Sequence, residues 1–515
     1  MTSTPLLIAR DLSMSFGGIK ALRGVNLEIG RGEILCLAGE NGSGKSTFTK
    51  IVSGVYTPDS GELIYDGVPV SWSGPRDAGA AGIQVIYQDL SLFEHLSVAE
   101  NIAINRMLHD DHVLVSRGRM REIAAEQLAR VGLDLPLDAP LSTLSVANRQ
   151  IVAICRALSM DARLLFMDEP TTALTGREVS RLLNIVLELK RAGLSIVFIS
   201  HKLDEVFTVA DRITIFRDGG HVGDFPAAEL DELGLSRHMT GRDVTYQRYH
   251  RAQVDETPVI AVENLGRVGH YNDISFSVRP GDIMGLTGLL GSGRTEIALS
   301  LFGLNQPDSG TIAIGGSPVR ISSPWQAMKY GIALLPEDRQ AQGLFGNQSV
   351  AVNASATSLD RILGKFRMLS APKEAALARR VVDAMGVNNK SISTLVSNLS
   401  GGNQQKVVIG KWLFRSPAVF ILDSPTIGID IGAKAEIYEQ IQRLAQDGMA
   451  VIFISDEPEE IVANCNRVLV MHDGAIVESF SEERVAEPGF KEELVRIISD
   501  PDADVTHPKV GGTSA

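Results

Sequence analysis

Cysteine is scarce in this sequence, and positive charge does not exceed negative charge. The 515 residues include only Cys36, Cys155 and Cys465, which are too few and too far apart for a disulfide framework or a Cys-x-x-Cys site. Lysine and arginine total 49 against 62 aspartates and glutamates, which gives a formal net charge of −13. Such an acidic chain is poorly suited to coating nucleic-acid phosphates, so we expect no nucleic-acid partner.

Long apolar runs are lacking as well. Runs such as Ser195–Ser200 and Met449–Ser455 have the length of strands, and none is long enough for a membrane-spanning helix. The first residues show no basic start followed by an apolar core, so we expect no secretory signal and a protein of the reducing cytoplasm. With 44% hydrophobic and 22% charged residues, the composition is that of a folded globular protein.

The sequence does contain a long internal repeat. GRGEILCLAGENGSGKS, which starts at Gly30, returns 249 residues later as RPGDIMGLTGLLGSGRT, which starts at Arg279. STLSVANRQIVAI, from Ser142, returns 255 residues later as SNLSGGNQQKVVI, from Ser397. Two collinear matches with little drift in spacing indicate a duplicated domain. The predicted organisation is a first domain over residues 1–240, an exposed linker over 241–257, a second domain over 258–500 and a flexible tail over 501–515.

The first repeat carries a phosphate-binding glycine loop. Gly39–Ser46 reads GENGSGKS and fits GxxxxGK[ST] between a short apolar strand and an apolar-periodic helix, which is the context that the motif requires. The glycines let successive backbone N–H groups face phosphate oxygens, Lys45 adds a cation, and Ser46 offers a hydroxyl to Mg²⁺. The predicted nucleotide-contacting residues of this loop are Gly39, Glu40, Asn41, Gly42, Ser43, Gly44, Lys45, Ser46 and Thr47.

An acidic pair follows another apolar run. LLFM leads into Asp168 and Glu169, and the carboxyl end of a buried parallel strand lies beside the phosphate loop in an open α/β sheet. On this interpretation Asp168 belongs to the Mg²⁺ shell, and Glu169 orients or deprotonates the attacking water. The alternative is an ordinary strand that ends at a solvated turn.

Two five-residue motifs make the sequence resemble the ATP-binding cassette (ABC) family. LSVAN starts at Leu144 and LSGGN starts at Leu399, and both are similar to the family's LSGGQ signature. The alternative reading of each serine is a plain helix cap. The resemblance implies an α/β fold with two P-loop ATPase domains in tandem, each a RecA-like core with a helical signature subdomain. It also implies that Ser400, Gly401, Gly402 and Asn403 contact nucleotide held by the opposite domain.

The same resemblance assigns three further residues of the first repeat. Gln88, in VIYQDLS, is similar to the family's Q-loop glutamine, which senses Mg²⁺ and couples to a membrane partner. His201, in FISHKLDE, is similar to the switch histidine that contacts the γ-phosphate, and Phe16 is similar to the aromatic residue that stacks on adenine. The implied catalytic set is Lys45, Gln88, Glu169 and His201, and the implied metal set is Ser46, Gln88 and Asp168.

The second repeat lacks several of these groups. Its glycine loop has Arg294 in place of lysine, its acidic pair becomes Asp423-Ser424, and Asp456 stands where the histidine is expected. Glu337 occupies the glutamine position, and no aromatic residue matches Phe16. The better signature, in contrast, is the second one. If the two domains pair head to tail within one chain, the sequence predicts one complete composite ATP site and one degenerate site.

Tandem cassettes of this pattern resemble the duplicated ATP-binding subunit of bacterial importers for monosaccharides and similar polar solutes. The resemblance implies an enzyme that uses ATP and Mg²⁺ to drive import. It further implies two permease subunits, an extracytoplasmic solute-binding protein and a peripheral position on the cytoplasmic face of the inner membrane. Three alternatives are a ribosome-acting tandem cassette, a DNA-repair cassette and a non-hydrolysing ATP binder. They fit less well, because the chain has no long charged linker, no heptad arms and a complete first site.

Overall fold

The chain divides into two compact units, Met1–Val244 and Thr245–Ala515. The computed structural model describes residues 4–109, 116–171, 174, 176–200, 202–241, 248–252, 256–289, 291–388, 391–429 and 431–499. Each unit combines a four-stranded antiparallel sheet with a six-stranded, mainly parallel sheet and surrounding helices. This architecture confirms the predicted fold class of two α/β domains in tandem.

The first unit is built from strands β1–β10 and helices α1–α8. The strands are β1 Leu7–Phe16, β2 Ile19–Ile29, β3 Ile34–Ala38, β4 Ser60–Tyr65, β5 Val68–Val70, β6 Ile83–Ile86, β7 Leu164–Asp168, β8 Ser195–Ile199, β9 Arg212–Arg217 and β10 Gly220–Pro226. The helices are α1 Lys45–Val52, α2 Pro75–Ala80, α3 Val98–His109, α4 Arg117–Arg130, α5 Val146–Leu158, α6 Gly176–Arg191, α7 Leu203–Val209 and α8 Glu232–Thr240. Short 3₁₀ turns cover Leu141–Thr143 and Ala227–Glu229.

The second unit repeats this order. Its strands are β11 Ile260–Arg267, β12 Tyr271–Val278, β13 Ile283–Gly288, β14 Ser309–Ile314, β15 Ser317–Val319, β16 Ile332–Leu335, β17 Val419–Asp423, β18 Ala450–Ile454, β19 Arg467–His472 and β20 Ala475–Phe480. Its helices are α9 Arg294–Leu301, α10 Pro324–Lys329, α11 Val350–Ser355, α12 Ala371–Ala384, α13 Gly401–Leu413, α14 Ile431–Gln446, α15 Pro458–Asn464, α16 Glu482–Val485 and α17 Phe490–Ser499. A π-helical turn covers Arg339–Gly343, and 3₁₀ turns cover Leu359–Ile362 and Val396–Asn398. Lys365–Arg367 form a further turn, in which the backbone of Phe366 is not helical.

The larger sheet of each unit places the functional loops at one edge. Its strand order is β10-β9-β3-β8-β7-β6 in the first unit and, in equivalent strands, β20-β19-β13-β18-β17-β16 in the second. β9, β3, β8, β7 and β6 run parallel, so their carboxyl ends share one edge. All five residues of β3 and of β8 are buried, which explains their continuous apolar sequences. Between β6 and β7, helices α3, α4 and α5 pack on one another as the expected helical subdomain.

Part of the stretch expected to be an exposed linker is packed into the second unit. Tyr249 is buried, its backbone N–H donates to the carbonyl of Ala463 at 3.1 Å, and its hydroxyl donates to the carbonyl of Gly281 at 2.7 Å. An aromatic ring with a satisfied hydroxyl gains from burial, and this gain overrides the polar character of its neighbours. The expectation of exposure is therefore wrong at Tyr249. Residues 242–247, 253–255 and the predicted tail lie outside the described residues.

No helix in the described ranges combines the length and the apolar character needed to cross a membrane. The three cysteines, Cys36, Cys155 and Cys465, are free and buried.

Candidate functional site

The glycine loop of the first unit begins at the end of β3 and ends in α1. Gly39 has φ +150°, and a Cβ there would lie 2.3 Å from the Phe216 carbonyl oxygen. Gly44, with φ +105°, would place a Cβ 2.7 Å from the Ala21 carbonyl oxygen. Both positions therefore require glycine, and the loop is held in a conformation that larger residues would block.

The side chains of this loop are arranged around Lys45. Its Nζ donates to the carbonyls of Gly39 at 2.6 Å and Glu40 at 2.9 Å, so the cation lies over the loop. Ser46 is exposed, whereas Ser43 is buried. Of the remaining predicted contacts, Asn41 and Gly42 are exposed and Glu40 and Thr47 are half-buried.

Lys45 and the acidic pair lie close enough to interact. Burial raises the pKa of Asp168 and neighbouring Glu169 raises it further, whereas Lys45 and Lys50 lower it. Glu169 has a positive φ of 47°, and its N–H donates to the carbonyl of Ile199 at 2.9 Å. A strained non-glycine backbone at the end of a strand is typical of functional turns. The structure thus brings Lys45, Asp168 and Glu169 together at the carboxyl edge of the sheet.

The two other predicted groups of this edge are positioned differently. Gln88 is exposed just beyond β6, the strand next to β7, and no hydrogen bond joins it to Lys45, Ser46 or Asp168 in the portion that the structure describes. His201 lies outside the described residues, although β8, which precedes it, lies between β3 and β7.

Phe16, the predicted adenine-stacking residue, lies at the end of β1 and is 42% exposed. Its ring meets that of Tyr56 edge-on, with centroids 5.3 Å apart. The ammonium of Lys50, in the last turn of α1, lies 5.5 Å from the Tyr56 centroid. The sequence analysis missed Tyr56, since an aromatic residue in a turn gives no periodic signal. An exposed face of Phe16 beside the glycine-loop helix suits stacking.

A buried carboxylate behind the acidic pair was also missed. Glu205 accepts hydrogen bonds from the Thr171 hydroxyl at 2.7 Å and from the Ser200 hydroxyl at 2.8 Å. These two residues follow the strands that lead to Glu169 and to His201. The internal repeat could have revealed this cluster, because the same three residue types recur 255 residues later as Thr426, Ser455 and Glu460. Glu205 therefore links the ends of β7 and β8 to each other.

The second glycine loop has the same backbone and different chemistry. Gly288 and Gly293 have φ of +149° and +97°, close to the values in the first loop. The side chain of Arg294 is buried, and burial lowers its pKa while Asp456, Asp423 and Glu337 act to raise it. Ser424 repeats the positive φ of Glu169, at 46°, but offers no carboxylate.

Asp423 differs from its counterpart in the degree of burial. It is buried, and burial raises its pKa to about 6, although a hydrogen bond from Thr295 and the charge of Arg294 act to lower it. The second loop therefore places a buried guanidinium beside a carboxyl group that resists ionisation.

The two signature helices begin in different ways. Ser145 caps α5, since its hydroxyl accepts from the N–H of Asn148 at 3.3 Å. Ser400 precedes α13 and does not cap it with its side chain. Its hydroxyl accepts instead from the side-chain amide Nδ2 of Asn403, at 2.9 Å. Gly402 allows α13 to approach α14, since a Cβ there would lie 2.6 Å from that of Ala433. The plain capping role thus fits Ser145 better than Ser400.

A glycine loop and an acidic residue at the carboxyl edge of a parallel sheet, both present twice, define a tandem P-loop ATPase. The family model described as "ABC transporter" matches this chain twice, at residues 22–172 and 271–427.

Two curated relatives extend the similarity over most of the chain. Ribose import ATP-binding protein RbsA 2 of Rubrobacter xylanophilus is 46% identical over 485 residues, which cover 94% of this chain and 93% of that protein. Putative ribose/galactose/methyl galactoside import ATP-binding protein 2 of Burkholderia lata is 42% identical over 470 residues, 91% of this chain and 89% of that protein.

The solved structure of cbiO1 from Clostridium perfringens, part of the ABC transporter complex cbiONQ, is 27% identical. It covers 46% of this chain and 95% of its own, with a TM-score of 0.41. The chain belongs to the ABC transporter family and is a tandem-cassette ABC ATPase, as the resemblance implied.

Proposed function

We propose that this chain is the ATP-hydrolysing, energy-coupling subunit of an importer for a sugar or a similar polar solute. The main support for this proposal is the arrangement in the first unit, where Lys45, Asp168 and Glu169 lie together at one sheet edge beside a glycine loop. The relatives named as ribose and galactose import proteins support the solute class.

In the proposed first site the loop N–H groups and Lys45 bind the β- and γ-phosphates, and Phe16 stacks on adenine. Ser46 and Asp168 supply the hydroxyl and carboxylate oxygens that Mg²⁺ prefers, and Gln88 is the third proposed ligand. Bound Mg²⁺ would neutralise phosphate charge. Glu169 orients or deprotonates the attacking water, and His201 contacts the γ-phosphate.

We further propose that the signature of one domain completes the site of the other. The loss of chemistry supports this pairing, because the intact first loop then meets the intact signature Ser400–Asn403. The degenerate residues Arg294 and Ser424 meet the degenerate Ser145 signature. The uncapped first turn of α13 supports it too, since its N–H groups are available to an anion. The second site on this view binds nucleotide weakly or holds it without turnover.

The proposed partners are two permease subunits and, indirectly, an extracytoplasmic solute-binding protein, with this chain on the cytoplasmic face of the inner membrane. The test is reconstitution of the chain with the permease and binding protein of a sugar importer from the same organism. Steady-state ATPase and uptake of labelled ribose or galactose are then measured. We expect slow hydrolysis by the free chain and stimulation by the permease with loaded binding protein, because closure of a composite site precedes chemistry.

The matched control is Glu169→Gln in the same vesicles, which separates coupled hydrolysis from contaminating ATPase. Hydrolysis at full speed by the free chain, unchanged on reconstitution and without uptake, would contradict the importer assignment.

A further inference from the structure

The second unit carries a small hairpin, Ile362–Ser370, between α11 and α12. Leu363 and Leu369 form an antiparallel bridge. The N–H of Gly364 donates to the Met368 carbonyl at 2.7 Å, and the N–H of Ser370 donates to the Ile362 carbonyl at 3.0 Å. The backbone of this segment is therefore ordered by its own hydrogen bonds.

Two residues with unfavourable backbone conformations form its tip. Phe366 and Arg367 have φ of 58° and 59°, and the N–H of Met368 donates to the Lys365 carbonyl at 3.3 Å. Positive φ at both central residues is the geometry of a type I′ turn, which favours Asn-Gly. Phenylalanine and arginine are poor choices for it. Backbone strain of this kind persists where it has a use.

The tip also exposes apolar side chains. Phe366 is 91% exposed, Met368 69% and Leu369 61%. Exposure of three neighbouring large apolar side chains is unfavourable in water and marks a contact surface.

The charge within the hairpin is of one sign. Residues 362–370, ILGKFRMLS, contain two basic residues and no acidic residue, in a chain of net charge −13, and Arg361 and Lys373 flank them inside Asp360 and Glu374. Arg361 and Lys373 brace the base of the hairpin by donating to the carbonyls of Phe414 and Leu363. Lys365 and Arg367 are exposed at the tip, on either side of Phe366.

The first repeat has a different charge pattern at this point. Between α3 and α4 its residues 110–116 read DDHVLVS, with two aspartates and no lysine or arginine, and α4 then begins with Arg117. The sequence at this point therefore differs between the two repeats, and the basic composition of residues 365–367 belongs to the second repeat.

We propose that the hairpin Ile362–Ser370 is a membrane-surface contact. Phe366, Met368 and Leu369 insert at the headgroup boundary, while Lys365 and Arg367 pair with anionic lipid headgroups. Alternating cations and large apolar residues match this chemistry, because the interface accepts apolar side chains and attracts basic ones. A protein groove would cover the apolar side chains but has no general need for a tip whose charged residues, Lys365 and Arg367, are both basic.

The test uses the full-length purified chain and sedimentation with vesicles. Vesicles of phosphatidylcholine alone are compared with vesicles that contain roughly one third phosphatidylglycerol. We expect binding to the anionic vesicles and at least tenfold weaker binding to the neutral ones. Lys365→Glu/Arg367→Glu should reduce binding by about tenfold or more, since each basic residue near an anionic surface contributes roughly fivefold.

A second variant separates membrane contact from folding. Phe366→Asn/Arg367→Gly installs the residues that a type I′ turn prefers, so it should keep or raise the melting temperature and still lose vesicle binding. Val268→Ser is the matched apolar control, because Val268 is 86% exposed in the same unit. Arg320→Glu/Arg379→Glu is the matched charge control, since both arginines are exposed.

Retained binding in both control variants, with loss in both hairpin variants, would support the proposal. Absence of binding to anionic vesicles, or binding that the hairpin variants leave unchanged, would overturn it. A third hairpin variant, Phe366→Ser, removes the aromatic side chain and keeps both cations. If it binds anionic vesicles as tightly as the wild type, while Lys365→Glu/Arg367→Glu does not bind, insertion of the tip is overturned.

Discussion

The two glycine loops share a backbone and differ in their chemistry. Gly39 and Gly288 adopt nearly the same φ, as do Gly44 and Gly293, and a Cβ at any of them would collide with neighbouring atoms. Glu169 and Ser424 share the same strained backbone. Yet the second loop has arginine where the first has lysine, and Ser424 stands where the first unit has the proposed catalytic carboxylate. On the proposed mechanism, the second domain keeps the backbone that the fold requires and lacks groups that hydrolysis requires.

The buried carboxylates Glu205 and Glu460 extend this comparison. Both accept from a threonine and a serine at equivalent positions. Glu460 has two more partners, Lys434 at 3.1 Å and the Tyr438 hydroxyl at 2.8 Å. The second unit therefore makes more contacts to this carboxylate, behind the loop in which Ser424 replaces the carboxylate of Glu169.

The largest expected effect would come from the acid that only the first unit has. Glu169→Gln should keep ATP binding and lower turnover at least about a hundredfold, because an amide keeps the shape and cannot accept the proton. Ser424→Ala, at the equivalent position, should change turnover by less than about twofold, since no base is lost there. Steady-state ATPase of the assembled transporter, with nucleotide binding measured separately, checks both.

Turnover above about a tenth of wild type in Glu169→Gln would break the comparison, because the base would then lie elsewhere.

A second prediction contrasts the signatures. Ser400→Arg should crowd the phosphates held by Lys45 and reduce hydrolysis by about 10²–10³-fold, the loss typical of one aligned donor. Ser145→Arg should leave hydrolysis largely intact, since Ser145 caps its own helix and, in the proposed pairing, serves the site without a base. Both are measured in the reconstituted transporter, beside melting temperatures that report any loss of the cap.

If Ser145→Arg is the severe variant and Ser400→Arg the mild one, head-to-tail pairing within one chain and the single working site must both be abandoned.

The sequence predicts the contiguous parts of the site well. A glycine loop, its strand and its helix lie within about twenty residues, so local pattern alone defines them. It predicts poorly the contacts between residues that are distant in sequence. Tyr249 donates hydrogen bonds to the carbonyls of Gly281 and Ala463. The ring of Tyr56 packs edge-on against that of Phe16. The contacts of Glu205 are intermediate in predictability. They join residues that are distant in sequence, but the same spacing occurs in both repeats and could have revealed them. The hairpin at Phe366 breaks the local rules for its turn, so no local rule could predict it.

A third prediction concerns stability behind the two sites. Glu460→Gln should lower the free energy of unfolding of the second unit by about 3–5 kcal/mol, because it leaves the buried Lys434 beside a single carboxylate, Glu457. Glu205→Gln should cost only about 1 kcal/mol, since its nearest cation, Lys202, lies 3.6 Å away and is partly exposed. Calorimetry of the full chain measures both, and equal losses would mean that Lys434 contributes nothing.

The smallest effect concerns the pH dependence of the second loop. Burial raises the pKa of Asp423 to about 6, so its folded form holds a proton more tightly than the unfolded chain does. Stability should accordingly fall as pH rises from about 4 to about 6, and at neutral pH the ionised group costs up to about 3 kcal/mol. Asp423→Asn should remove this cost, raising the free energy of unfolding by about 1–3 kcal/mol at pH 7.5 and by about a third of that gain at pH 4.5. Urea unfolding without Mg²⁺ measures these changes in the free energy of unfolding. Asp168→Asn is the control, because burial also raises the pKa of Asp168. Asp168 is less buried than Asp423, so Asp168→Asn should gain less stability. If Asp423→Asn instead loses stability at neutral pH, Arg294 holds the Asp423 carboxylate ionised in a buried ion pair. The second loop would then be stabilised by this salt bridge, and burial of Asp423 would not be a cost.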